Sequence, residues 1–173
     1  LAPGDSKDKL ENRLKVIVVP DGVNYALWFD GRDNFVYTSL RYDGTYPITI
    51  EATVMPGAGE KRDTDVVADT HFAGVSLKID KDGYWAFGVH KGRPGHQDYE
   101  FVRSAKRAVR ARWTYVAGVF DPDKDKMELR LYVDGKREGY ARILKGQFNP
   151  SPYTLDVGAD PDGGGKPERC FEG

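Results

Sequence analysis

The chain has 173 residues, 39% of them hydrophobic, with 26 Lys and Arg against 27 Asp and Glu and a formal net charge of −1. That length suits one domain, able to bury roughly two-thirds of its unfolded surface. The charge balance excludes whole-domain attraction to nucleic acid or membrane surfaces, and no apolar run approaches the ~20 residues of a spanning helix. The start at Leu1, with no signal-peptide core, suggests a processed product or an excised domain. Cys170 is the single cysteine, so neither a disulfide framework nor a cysteine metal site can be built; a small buried residue is expected.

Residues 1–13 are charged, without apolar pattern, and suggest a linker or disordered arm. Leu14 to Val19 predicts a short strand, closed by the turn Pro20-Asp21-Gly22. Tyr25 to Phe29 and Phe35 to Thr38 predict two more. Ile48, Ile50, Ala52 and Val54 alternate with Thr49, Glu51 and Thr53, the period of a strand with one wet face. A long polar loop is expected over 56–70. His71 to Ile79 and Tyr84 to His90 predict a hairpin about Lys81-Asp82-Gly83. Tyr99 to Val102 is a short strand, and Ser104 to Arg112 is the nearest thing to a helix. Arg112 to Asp121 carries apolar residues on both faces, as a central strand does. Met127 to Val133 alternates again, and Asp134-Gly135 is a two-residue hairpin turn leading into Glu138 to Ile143. Tyr153 to Val157 is the last strand before a Gly-rich loop, Ala159 to Lys166. About ten short strands predict an all-β sandwich or barrel.

Three segments in order resemble the laminin-G-like jelly rolls of the concanavalin A-like lectin/glucanase superfamily. They are Ala26-Leu27-Trp28-Phe29-Asp30-Gly31, the strand Pro47 to Val54, and Arg112 to Lys136 with its Trp113, Val116-Ala117-Gly118 and Leu131-Tyr132-Val133-Asp134-Gly135. The resemblance implies a two-sheet antiparallel jelly-roll sandwich over 14–173. It also implies a closing strand that would begin at Phe171-Glu172-Gly173. The expectation is therefore a domain clipped at its C-terminus, with an unpaired edge beside Tyr25–Phe29 that favours association.

The glucanases of this superfamily carry a carboxylate pair on one strand, with the two groups about 5 Å apart. Asp123, Asp125 and Glu128 imitate that spacing but follow Trp113 in a polar turn, where a solvated turn is the plainer reading. No catalytic residue is assigned. His71, His90 and His96 lack metal-ligand spacing on one strand. Asp30, Gly31 and Asp33 cluster hard oxygen atoms, and the resemblance implies a structural Ca²⁺ there. A basic run with aromatic neighbours gives the ligand-binding candidates Trp85, Arg93, Tyr99, Arg103, Arg107 and Arg110, suited to an anionic glycan. The expected function is a non-catalytic recognition module for carbohydrate or a partner protein, within a larger extracellular or cell-surface protein. A glycoside hydrolase or polysaccharide lyase of the same fold, and a structural spacer, are the alternatives.

Overall fold

The computed structural model describes residues 15–18, 25–58, 62–93, 95–96, 98–123, 125–143, 146–161 and 166–173; the expected arm at 1–13 lies outside them. The strands are β1 (Lys15–Val18), β2 (Tyr25–Trp28), β3 (Ile48–Val54), β4 (Thr64–Ala68), β5 (Val75–Ile79), β6 (Tyr84–His90) and β7 (Tyr99–Arg107). They continue with β8 (Thr114–Asp121), β9 (Met127–Val133), β10 (Lys136–Ile143), β11 (Asp156–Val157), β12 (Asp160–Pro161) and β13 (Pro167–Glu168). A four-stranded sheet runs β10-β9-β8-β3 and a five-stranded sheet runs β11-β4-β5-β6-β7, all antiparallel. Small hairpins β1-β2 and β12-β13 flank them.

The core lies between the two larger sheets. Val75, Leu77 and Ile79 of β5 and Trp85, Phe87 and Val89 of β6 meet Val116 and Phe120 of β8 and Leu129 and Leu131 of β9. Each is 2% exposed or less, and each such side chain contributes about 1.5–3 kcal/mol by leaving water. Gly118 makes room for the contact: a Cβ there would stand 2.2 Å from the Phe87 ring. The Asp134-Gly135 hairpin forms as expected, with φ of 49° and 75°.

Five expectations need correction. The polar stretch 56–70 contains β4, and Asp65 within it and Asp69 just after it are buried. The strand from His71 starts only at Val75, because Phe72 and Gly74 turn the chain with φ of 58° and 71°. The short strand expected over Tyr99 to Val102 runs on to Arg107 as β7. Tyr153 to Val157 shortens to the two residues of β11, and Phe35 to Thr38 to one bridge between Val36 and Val157.

Phe171 to Gly173 lies where the closing strand was expected to begin. Gly173 and Phe29 exchange backbone hydrogen bonds (2.8 and 3.1 Å), and Gly57 N donates to Glu172 O. Beside Gly173 an apolar cavity of about 650 Å³ separates β2 from β3, floored by Val66 and Val157. The other edge of β2 is paired by β1.

Candidate functional site

Strand alternation sends Val75, Leu77 and Ile79 inward, so Ser76 and Lys78 point to the opposite face of the five-stranded sheet. The register then places Ala86, Gly88 and His90 of β6, and Tyr99, Phe101 and Arg103 of β7, on that same face. Several of these polar side chains are nonetheless buried: Ser76, Lys78 and His90, together with Asp65 of β4.

A cavity of about 570 Å³ opens on this face between Asp63, His71, Phe72, Lys78, Tyr99, Phe101, Asp160, Glu168 and Arg169. A second of about 340 Å³ shares Asp63, Lys78 and Phe101 with it and extends to Asp80, Asp82 and Arg103. The two form one groove. Its floor rests on a glycine: a Cβ at Gly88 would stand 2.2 Å from Phe101 Cδ1, so the Phe101 ring lies down on the β6 backbone. Tyr99 stacks on Phe101 (centroids 5.7 Å apart, 28° between planes) and meets the His90 ring edge-on at 4.8 Å. His90 is fixed in turn by His96 O at Nε2 (2.5 Å) and Asn149 Nδ2 at Nδ1 (3.3 Å). The Lys78 ammonium sits 4.3 Å from the Phe101 centroid and 3.2 Å from Asp63 Oδ2.

One wall of the groove is an ion network. Arg169 Nε stands 2.8 Å from Asp65 Oδ2, and Arg169 Nη2 donates to Asp160 Oδ2 and to Thr70 Oγ1 (2.5 Å). Thr70 Oγ1 donates to Asp160 Oδ1 and Ser76 Oγ to Asp65 Oδ1, each at 2.5 Å. Burial raises the pKa of both carboxyls, and the Arg169 charge pulls them back down.

Nearby Asp69 is fully buried; its Oδ1 accepts from Val75 N (2.6 Å), while Oδ2 has no hydrogen-bond partner among the described residues. Burial pushes its pKa up to about 7. A carboxyl whose folded pKa is raised above its unfolded value stabilises the protein at low pH, and that contribution is lost as pH rises through the folded pKa. Stability is therefore expected to fall between about pH 4, where the unfolded carboxyl ionises, and about pH 7, where the buried Asp69 does. The melting temperature of Asp69→Asn relative to the wild type should rise from about pH 4 to about pH 8; a difference that stays constant over that range would refute this.

The sequence-derived candidates scatter. Tyr99 and Arg103 lie on the groove. Trp85 packs into the core at 2% exposure, because it shares the inward parity of Phe87 and Val89; no ring face is left for a ligand. Arg103 and Arg107 converge on Tyr84, at 4.3 and 5.6 Å from its centroid. Arg110 donates to Gly57 O (3.1 Å), and Arg93 is exposed in the loop after β6. The run of cations thus forms no single patch.

The calcium candidates do not make a cation cage. Asp30 Oδ1 accepts from the Arg32 and Asp33 amides, an Asx turn, and Asp33 Oδ1 accepts from Asn34 Nδ2. The Gly31 carbonyl is taken by the Arg62 guanidinium (2.5 Å). Among the described residues no three His, Cys, Asp or Glu gather to hold a metal. A positive guanidinium on a presumptive ligand does not fit Ca²⁺. Cys170 is buried, its Sγ donating to Arg32 O (2.9 Å).

Residues 29–173 match the profile of the concanavalin A-like lectin/glucanases superfamily. The chain belongs to this superfamily. The superfamily fold recurs in solved structures. The enzymatically active domain of bacteriophage CBA120 tailspike protein 2 superposes with a TM-score of 0.65 at 16% identity, over 94% of this chain and 26% of that one. A putative carbohydrate-binding protein from Bacteroides ovatus gives 0.57 at 20%, over 91% and 46%. The CBM40 module of Ruminococcus gnavus IT-sialidase, also solved with α2,6-sialyllactose, gives 0.53 at 10%, over 84% and 83%. This superfamily member therefore spans under half of the first two proteins. No curated protein matches the chain.

Sequence reasoning missed Asp63, Lys78, Phe101 and Arg169. Lys78 had a signal, a cation alternating with Val75, Leu77 and Ile79 in an otherwise apolar strand. Arg169 had none, since its partner Asp65 lies in a distant strand.

Proposed function

We propose that this chain is a non-catalytic carbohydrate-recognition module, working as one part of a larger secreted or cell-surface protein, with its ligand in the groove of the five-stranded sheet. The observation that carries the reading is the stacked Tyr99–Phe101 pair, walled by His71 and Phe72 and edged by charged side chains. Sugars present apolar C–H surfaces to such rings and hydroxyls to such edges. Carbohydrate-binding proteins among the similar folds agree with it.

The enzyme alternative is less well supported. A retaining glycosidase needs two accessible carboxyls about 5 Å apart, one with a raised pKa. The raised carboxyls Asp65, Asp69, Asp156 and Asp160 are all buried, Asp160 being held by Arg169 and Thr70, and Asp63 on the groove is engaged by Lys78. A lyase needs a tyrosine ready to ionise, whereas burial raises the Tyr99 pKa while its hydroxyl donates to Ala73 O (3.3 Å).

The test is a glycan array followed by titration of the strongest hit. Phe101→Ala should weaken that hit by about 1 kcal/mol or more. Gly88→Ala should do so too, by lifting the Phe101 ring. Tyr140→Ala, on the exposed face of the other sheet, should change nothing. Equal binding by Phe101→Ala and wild type would move the site elsewhere.

A further inference from the structure

The charges of the groove select among glycans, and the inference rests on the recognition reading above. The lining carries four cationic side chains against five carboxylates, one net negative charge, with Asp65 beneath. Three of those cations are already committed. Lys78 faces Asp63 at 3.2 Å; Arg103 reaches Asp80 Oδ2 at 2.5 Å and Asp82 Oδ2 at 2.9 Å; Arg169 bridges Asp65 and Asp160. The fourth, Lys81, is exposed at the rim, where only its backbone amide is engaged, by Asp63 Oδ1.

A sulfate or carboxylate on a ligand needs a cation to itself. To obtain one here it would have to part an existing ion pair, leaving Asp63, Asp80 or Asp160 uncompensated, or settle for Lys81 at the solvent-screened rim of a groove that is already net negative. Either costs several kcal/mol where the pair is buried, and less at the exposed rim. Hydroxyl groups meet no such barrier. An ionised carboxylate offers about four lone-pair sites, so the acids that repel an anion accept hydrogen bonds from sugar hydroxyls. The five-stranded sheet is about 20 Å wide at the usual strand spacing. We infer that the groove recognises an uncharged oligosaccharide laid across the strands, with sugar faces on Phe101 and Tyr99 and hydroxyls on the paired carboxylates. Sialylated, uronic and sulfated glycans are selected against.

The experiment compares maltohexaose, cellohexaose and xylohexaose with a heparin hexasaccharide, an oligogalacturonate and α2,6-sialyllactose on the array. The uncharged set should supply the hits, with affinity changing by less than about twofold between about 50 and about 500 mM NaCl, since no net ion pair forms on binding. Asp82→Asn, at an exposed position, frees one contact of Arg103 and gives opposite signs under the two alternatives. Binding of the uncharged hit should hold or weaken, whereas an anion-binding groove would bind heparin more tightly. Hits confined to the anionic set, lost in high salt and weakened by Phe101→Ala, would overturn this inference and leave the recognition reading standing. Absence of any hit would overturn both.

Discussion

Replacing Arg169 by Met should cost about 3–5 kcal/mol of stability, the usual effect of removing one partner from a buried ion network. Asp65 is fully buried and Asp160 is 2% exposed, and both turn an oxygen to this guanidinium. Methionine keeps the apolar stem but leaves two carboxyls 90 or more residues apart in sequence without a countercharge. The backbone adds to the sensitivity, because Arg169 is held at φ 47° by its surroundings. The loss should depend on pH in a defined sense. Burial already raises both carboxyl pKa values and Arg169 opposes the rise. Without it they rise further, so the folded variant takes up protons at a higher pH. The deficit is then largest where both groups would be ionised and shrinks as pH falls. Urea denaturation at pH 8 and pH 5 measures it. A loss below about 1 kcal/mol at both would mean a solvent-screened surface pair.

Trp85→Ala should cost as much for a different reason. A buried aromatic removed from a close-packed core takes its transfer free energy with it and leaves a cavity, about 3–5 kcal/mol together. Trp85 lies beside Phe87 and Val89 between the two sheets. If it served a ligand instead, the substitution would spare stability and abolish binding. Chemical denaturation of Trp85→Ala and Phe101→Ala separates the two roles, the large loss of stability belonging to Trp85 and the loss of binding to Phe101.

The architecture was largely legible because it follows from short-range periodicity. β3 and β9 alternate cleanly, and the Asp134-Gly135 turn needs positive φ that few other dipeptides supply. β4 was not legible, because Asp65 and Asp69 in and after it look solvated until Arg169 and the covering loops are in place. The aromatic residues were misassigned by proximity in sequence. Parity would have done better: Trp85 steps with Phe87 and Val89, while Tyr99 steps with Phe101 and Arg103. The Arg cluster misled in the same way. Along β7 and its following turn the arginines find different partners, Asp80 and Asp82 for Arg103, the Tyr84 ring for Arg107 and the Gly57 carbonyl for Arg110. The pairing of Asp65 with Arg169 depends on how the chain closes over the sheet, which no local pattern encodes.

The most direct test of the central claim is the amide spectrum of the ¹⁵N-labelled protein titrated with the strongest array hit. A ligand in this groove should shift amides of β5, β6 and β7 and those around Phe72 and Arg169, leaving β8, β9 and β10 unmoved. Shifts confined to the Asp30–Asp33 turn, or to the exposed face of the four-stranded sheet, would contradict it.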